Sequence, residues 1–102
     1  VVEGRGGHAS MPHQTLDPVP VACEIVLALQ TMVTRQFNAH DPVVVTIARI
    51  EAGSAHNVIP DSASLKGTMR SLSPVHRVRL REQVPVAIRH RRRPWLVARG
   101  RP

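Results

Sequence analysis

The stretch Val2-Glu3-Gly4-Arg5-Gly6-Gly7-His8-Ala9-Ser10-Met11-Pro12-His13 sets three glycines just ahead of a histidine. Val1 to Glu3 reads as the end of a strand running into the glycine turn. Glycine tolerates positive φ and lets the backbone come close to a ligand or to another backbone. A histidine carried on such a turn can point its imidazole into a cleft. Pro12 stiffens the exit and His13 follows it. Alone, the turn is ordinary punctuation. Two later pieces give it weight: His56-Asn57-Val58-Ile59-Pro60-Asp61 and Gly67-Thr68-Met69-Arg70 each place one polar group among apolar or strand-forming residues.

Moving outward from the turn, Asp17-Pro18 is a helix start, with Asp as N-cap and Pro in the first turn. Ala22, Ile25, Val26, Leu29, Met32 and Val33 follow at helical spacing, which predicts one amphipathic helix over about Pro18 to Gln36. Pro42 blocks helix and opens a strand, VVVTIARI, rich in β-branched residues. Val43, Val45 and Ile47 fall on one face and Val44, Thr46 and Ala48 on the other. Both faces are fairly apolar, so this strand is expected to be central or at an interface. The chain turns at Gly53, and His56 to Asp61 reads as an extended loop. Ser62 to Ser71 alternates again, with Ala63, Leu65, Gly67 and Met69 opposite Lys66, Thr68 and Arg70. Ser73-Pro74 opens a second helix to about Val84, with Val75, Val78, Leu80 and Val84 available for its buried stripe. Pro85 is expected to break it.

The order strand–helix–strand–strand–helix is most of a ferredoxin-like βαββαβ unit. The expected class is therefore α+β: a ferredoxin-like βαββα(β) sandwich, an antiparallel sheet with two helices on one face and its last strand missing or replaced. Two segments are expected, a folded domain over 1–84 and a basic tail over 85–102.

A chain of 102 residues allows one modest core. With Phe37 and Trp95 its only aromatics, that core must be aliphatic. No apolar run approaches the roughly 18 residues of a membrane helix. The single cysteine, Cys23, excludes an internal disulfide, fits a reducing, cytoplasmic compartment and reads as a small buried or half-buried helical residue. The net charge of +7 suggests nucleic acid until it is located. Residues 86–102 hold six arginines and no acid, leaving eight basic against seven acidic residues elsewhere. The domain is thus near neutral, and the basicity belongs to the tail.

GRGGHASMPH (4–13), DPV (17–19), GSAHNVIPD (53–61) and LKGTMRS (65–71), in this order, resemble the lid, or dimerisation, domain of the two-metal exopeptidases and amidohydrolases. That family includes aminoacylase, hippurate hydrolase and the indole-acetyl-amino-acid hydrolases, and the likeness is nearest to the bacterial hippurate-hydrolase branch. It runs from Val1 to about Val84. It implies that His8 is the catalytic lid histidine, reaching across a homodimer to stabilise the oxyanion of the tetrahedral intermediate in the partner subunit. It implies that Asn57 and Arg70 bind substrate, Arg70 through the substrate's carboxylate, for which a guanidinium fork is geometrically suited. The dimer is expected to form through a lid edge strand and a helix. Substrates are expected to be N-acyl amino acids or small peptides.

Two-metal hydrolysis needs metals that generate hydroxide and polarise a carbonyl. The acids Glu3, Asp17, Glu24, Asp41, Glu51, Asp61 and Glu82 are scattered, and His8 and His13 stand five apart across a glycine turn. No metal site is therefore expected in this chain. The two divalent metals (zinc, manganese or cobalt) are assigned by resemblance to a catalytic domain lying outside it, without which the chain should be inactive. Ordinary roles remain open: Asn57 as a loop tie, Arg70 as an exposed strand arginine, His13 as decoration of the turn, the other histidines as surface residues.

The tail departs from the family, whose second helix continues through a small-residue segment resembling "AAAHG". Written in GC-rich codons and read one base later, Arg89 to Trp95 gives Val-Thr-Ala-Ala-Ala-His-Gly. A frameshift near Pro85 to Arg89 would produce this, and the alternative is a genuine solvated basic tail. Two rival classes follow. One is a stand-alone dimerising or small-carboxylate-binding module using Arg70 and Asn57. The other is a nucleic-acid binder using Arg89 to Arg101, ranked last because no aromatic platform accompanies the arginines.

Overall fold

The computed structural model describes residues 1–40, 42–90 and 97–98, the last two and residues 89–90 by backbone alone. The elements in chain order are β1 (Val2–Glu3), β2 (Gly7–His8), a 3-10 turn (Pro12–Gln14), α1 (Pro18–Gln36), β3 (Val43–Ala52), β4 (Val58–Ile59), β5 (Ser62–Ser71), α2 (Pro74–His90) and β6 (Val97–Ala98). One four-stranded antiparallel sheet has the order β3-β5-β1-β6, and β2 pairs with β4 in a second, two-stranded sheet. This is the expected α+β arrangement. The place of the final strand is taken by the two-residue β6, with Val2 opposite Ala98.

Helix α1 begins where the sequence puts it. Asp17 Oδ1 accepts the Val19 N–H at 3.0 Å, satisfying a first-turn donor that has no intrahelical partner. Val21, Ala22, Ile25, Leu29 and Met32 point inward and meet Val2, Val45 and Ala63 of the sheet, with Phe37 and Leu80, in one core. Cys23 is exposed, contrary to expectation, because it lies off that inward stripe. Gln30 Nε2 donates to the Val45 carbonyl at 3.1 Å and ties α1 to β3.

Helix α2 departs from expectation in two ways. It runs through Pro85 to His90. A proline inside a helix forfeits one hydrogen bond, but Pro85 is exposed, and Val84, Ala87 and Ile88 on either side of it pack on the core. Its buried stripe is also different. Among its described side chains Leu80 alone is buried, whereas Val75 and Val78 are 73% and 53% exposed. The stripe passes instead through His76, Leu80, Val84 and Ala87, at three- and four-residue spacing. His76 is thus not a surface histidine: it is half-buried, edge-on to Phe37 with ring centroids 6.1 Å apart. The remaining tail, and the proposed frameshift with it, falls largely outside the described residues.

Strand β3 is not central: it is an edge of the sheet, so of the two expectations only an interface position remains. Its pairing with β5 is regular from Val43↔Ser71 to Ile47↔Gly67, then shifts at Ala48, which has no partner, so that Arg49 faces Lys66 and Ile50 faces Leu65. This is a β-bulge, one extra residue on one strand.

Candidate functional site

The sheet itself brings the histidine turn to the asparagine loop. Val2 pairs with Ala63 and Glu3 with Ser62, so the chain leaving β1 and the chain entering β5 lie side by side at one end. Just beyond that end Gly7 pairs with Ile59 and His8 with Val58. The Ala9 N–H donates to the Asn57 carbonyl at 3.0 Å. His8 and Asn57, far apart in sequence, are therefore held on adjacent backbone, and both are exposed.

Several bonds fix the turn. Asp61 accepts twice, from the Gly6 N–H through Oδ1 at 2.8 Å and from the Gly4 N–H through its backbone oxygen at 2.7 Å. On the other side Arg5 and Leu16 exchange backbone bonds at 2.9 and 2.8 Å. Gly6 is required for close approach, since a Cβ there would collide with the Ile59 carbonyl oxygen. Positive φ plays no part: among the described residues the one glycine with positive φ is Gly53, at 80°. Downstream, Met11 N–H donates to the His8 carbonyl at 2.9 Å, and both the N–H and Oγ1 of Thr15 reach the Pro12 carbonyl. His13 sits exposed in this 3-10 turn.

The His8 ring is itself held. Its Nδ1 lies 3.1 Å from the Ser10 backbone nitrogen and 2.6 Å from Ser10 Oγ.

Arg70 lies elsewhere. It stands eight residues along β5 from Ser62, opposite Val44. At the rise of a strand that is about 26 Å from the His8–Asn57 end. Within one chain, therefore, His8 and Asn57 are not brought together with Arg70. Arg70 lines a shallow groove of about 480 Å³ with Pro42, Val44, Met69, Ser71, Leu72 and Arg77. Two guanidiniums and an apolar floor suit an anion with an apolar portion.

Among the described residues no three His, Cys, Asp or Glu side chains cluster as a metal would require, so these residues do not fit a two-metal centre. No described helix is long and apolar enough to cross a membrane.

Sequence reasoning missed the β2–β4 pair, the Asp61 clamp, Ser10 and Arg77. Asp61, immediately after the strand-ending Pro60, carried a turn signal; Ser10 and Arg77 carried none.

Comparison with known proteins adds the following. The sequence model of a family described as peptidase dimerisation domain matches residues 1–95. An N-acetyldiaminopimelate deacetylase of Priestia megaterium is 39% identical over 88 residues, covering 86% of this chain and 24% of that protein. The IAA-amino acid hydrolase ILR1-like 2 of Arabidopsis thaliana is 47% identical over 73 residues, 72% of this chain and 17% of its own length. A crystal structure of an aminohydrolase from methicillin-resistant Staphylococcus aureus superposes with a TM-score of 0.83 at 30% identity, over 88% of this chain and 23% of the other. The chain thus spans no more than a quarter of the length of these relatives.

Proposed function

Because the chain belongs to the peptidase dimerisation domain family, we propose that it serves as the lid and dimer-forming part of a cytoplasmic two-metal amidohydrolase cleaving N-acyl amino acids or small peptides. Two relatives are named for deacetylating N-acetyldiaminopimelate and for hydrolysing IAA-amino acids, which supports an amide bond to an amino acid as the target. The metals (zinc, manganese or cobalt) belong in this reading to a separate catalytic domain, where they would supply hydroxide and polarise the scissile carbonyl. The chain's own residues bind and orient. His8 donates a hydrogen bond to the developing oxyanion, the kind of contact worth about 10²–10³ in rate. Asn57, beside it, both donates and accepts. Arg70 grips the substrate's carboxylate.

The observation that carries this reading is the separation of Arg70 from His8 and Asn57 along a sheet whose edge is β3. The His8–Asn57 end is where β3 finishes, and the Arg70 end is where β3 starts. If two copies pair their β3 edges antiparallel about a two-fold axis, each chain's His8 and Asn57 come to the end that carries the other's Arg70. A complete set then needs both copies. The solvent face of α1 supports the same surface: Val19, Cys23 and Leu27 recur at four-residue spacing and are exposed, Leu27 by 68%.

The test is complementation. The chain replaces the matching segment of the Priestia megaterium deacetylase, and His8→Ala and Arg70→Ala versions of that chimera are co-expressed. Each variant alone is expected to be nearly inactive. Random mixing should restore roughly a quarter of the activity, because half the dimers are mixed and each has one intact site. No recovery would overturn the reading. The isolated chain, supplied with zinc, manganese or cobalt, should not turn over N-acyl amino acids.

A further inference from the structure

We propose that Ser10, through its backbone amide, is the positioning residue that fixes His8 as a hydrogen-bond donor through Nε2. A backbone N–H can only donate, so the Ser10 amide 3.1 Å from His8 Nδ1 requires a lone pair on that nitrogen. The Ser10 hydroxyl, 2.6 Å from the same atom, then donates as well. The single ring proton of neutral His8 is thereby placed on Nε2, because the bond made by one ring nitrogen sets the role of the other.

The arrangement is built into the backbone. Met11 N–H closes a turn onto the His8 carbonyl at 2.9 Å, and Ser10 lies within that turn. The intervening Ala9 is fastened to Asn57 by its own N–H at 3.0 Å. Ser10 is therefore held over Nδ1 by bonds on either side of it. The outward nitrogen of His8 carries a proton to give and no lone pair with which to take one. This assigns His8 the role of donor and excludes it as the base that activates water through Nε2. The inference rests on the reading of His8 as the oxyanion donor, and it adds the residue that makes the ring fit for that task.

The experiment is nitrogen NMR on the uniformly 15N-labelled 102-residue chain, with the His8 signals identified by their loss in His8→Gln. The expected result is a proton on Nε2 and a scalar coupling across the hydrogen bond between the Ser10 amide nitrogen and His8 Nδ1. Ser10→Ala retains the amide donor and should keep both signatures. Ser10→Pro has neither donor and should lose the coupling, with the ring proton exchanging between the two nitrogens. The Ala9 amide signal reports whether the β2–β4 pair survives in that variant. If it does not survive, the wild-type and Ser10→Ala spectra decide. A proton on Nδ1, or an absent coupling with the proton averaged over both nitrogens in the wild-type chain, overturns the proposal. The measurement needs neither substrate nor metal, so its outcome is separate from the complementation test. Full activity in a His8→Ala chimera would remove the functional reading and leave the tautomer result standing.

Discussion

The carboxylate of Asp61 accepts the Gly6 backbone N–H at 2.8 Å, while the Asp61 carbonyl accepts that of Gly4 at 2.7 Å. One residue thereby holds both sides of the turn that leads to His8. Asp61→Ala removes the side-chain acceptor and leaves the second bond in place. The expected cost is about 1.5–3 kcal/mol, the range for a hydrogen bond to a charged group. Asp61→Asn retains a carbonyl oxygen and should recover at least half of that. Urea unfolding of the three chains measures it, read as shifts in midpoint at constant slope.

Gly6 and Gly53 are both glycines for different reasons, and alanine separates them. At Gly6 a Cβ would meet the Ile59 carbonyl, so Gly6→Ala must push β2 off β4, with an overpacking cost of about 1–3 kcal/mol. At Gly53 a Cβ meets nothing within 4 Å, but φ is 80°. Gly53→Ala should cost about 1–2 kcal/mol through backbone strain alone. Amide shifts distinguish them: Ala9 and Val58 should move in Gly6→Ala and stay put in Gly53→Ala.

Ile25 and Leu27 are two residues apart on α1 and face opposite ways, at 2% and 68% exposure. Ile25→Ala opens a cavity in the core between α1 and the sheet and should cost about 2–5 kcal/mol. Leu27→Asp should change the stability of the single chain by less than about 0.5 kcal/mol, as surface substitutions do. It should nevertheless weaken self-association at least about tenfold, if α1 and β3 form the two-fold surface. Sedimentation velocity across a concentration series reads the second effect, and unchanged association would count against that surface.

Pro85 sits in a helix that tolerates it. Pro85→Ala restores the missing donor and substitutes the best helix former for the worst, so it should stabilise the chain by about 1–3 kcal/mol. A rise in the thermal midpoint is the expected result.

Much of this architecture was legible because the signals are local. Asp17 and Pro18 mark the start of α1, and Ala22, Ile25, Leu29 and Met32 mark its inner face. The alternating runs Val43 to Ile47 and Ser62 to Ser71 mark two strands that pair. What was illegible is non-local. The β2–β4 pair joins two-residue strands about fifty positions apart, too short to show any alternation. The ordered motifs single out His8, Asn57 and Arg70, but order along a chain does not say which end of a strand a residue occupies. Ten residues of β5 put Arg70 at the far end. The break at Pro85 was misjudged because the packing of Ala87 and Ile88 beyond it depends on the sheet beneath.

Ala48 leaves one last consequence. Cross-strand partners share a face, and because Ala48 is skipped, Ile50 stands with Leu65 and Ala52 with Ala63, while Arg49 and Glu51 stay on the opposite side and pair with each other. Were Ala48 counted into the ladder, Arg49 and Glu51 would turn toward the helices. Excising Ala48 altogether would give an unbroken ladder with the same residues facing inward. The middle of a strand is ordinarily the worst place to shorten a protein, yet here a one-residue deletion should be tolerated where an insertion would not.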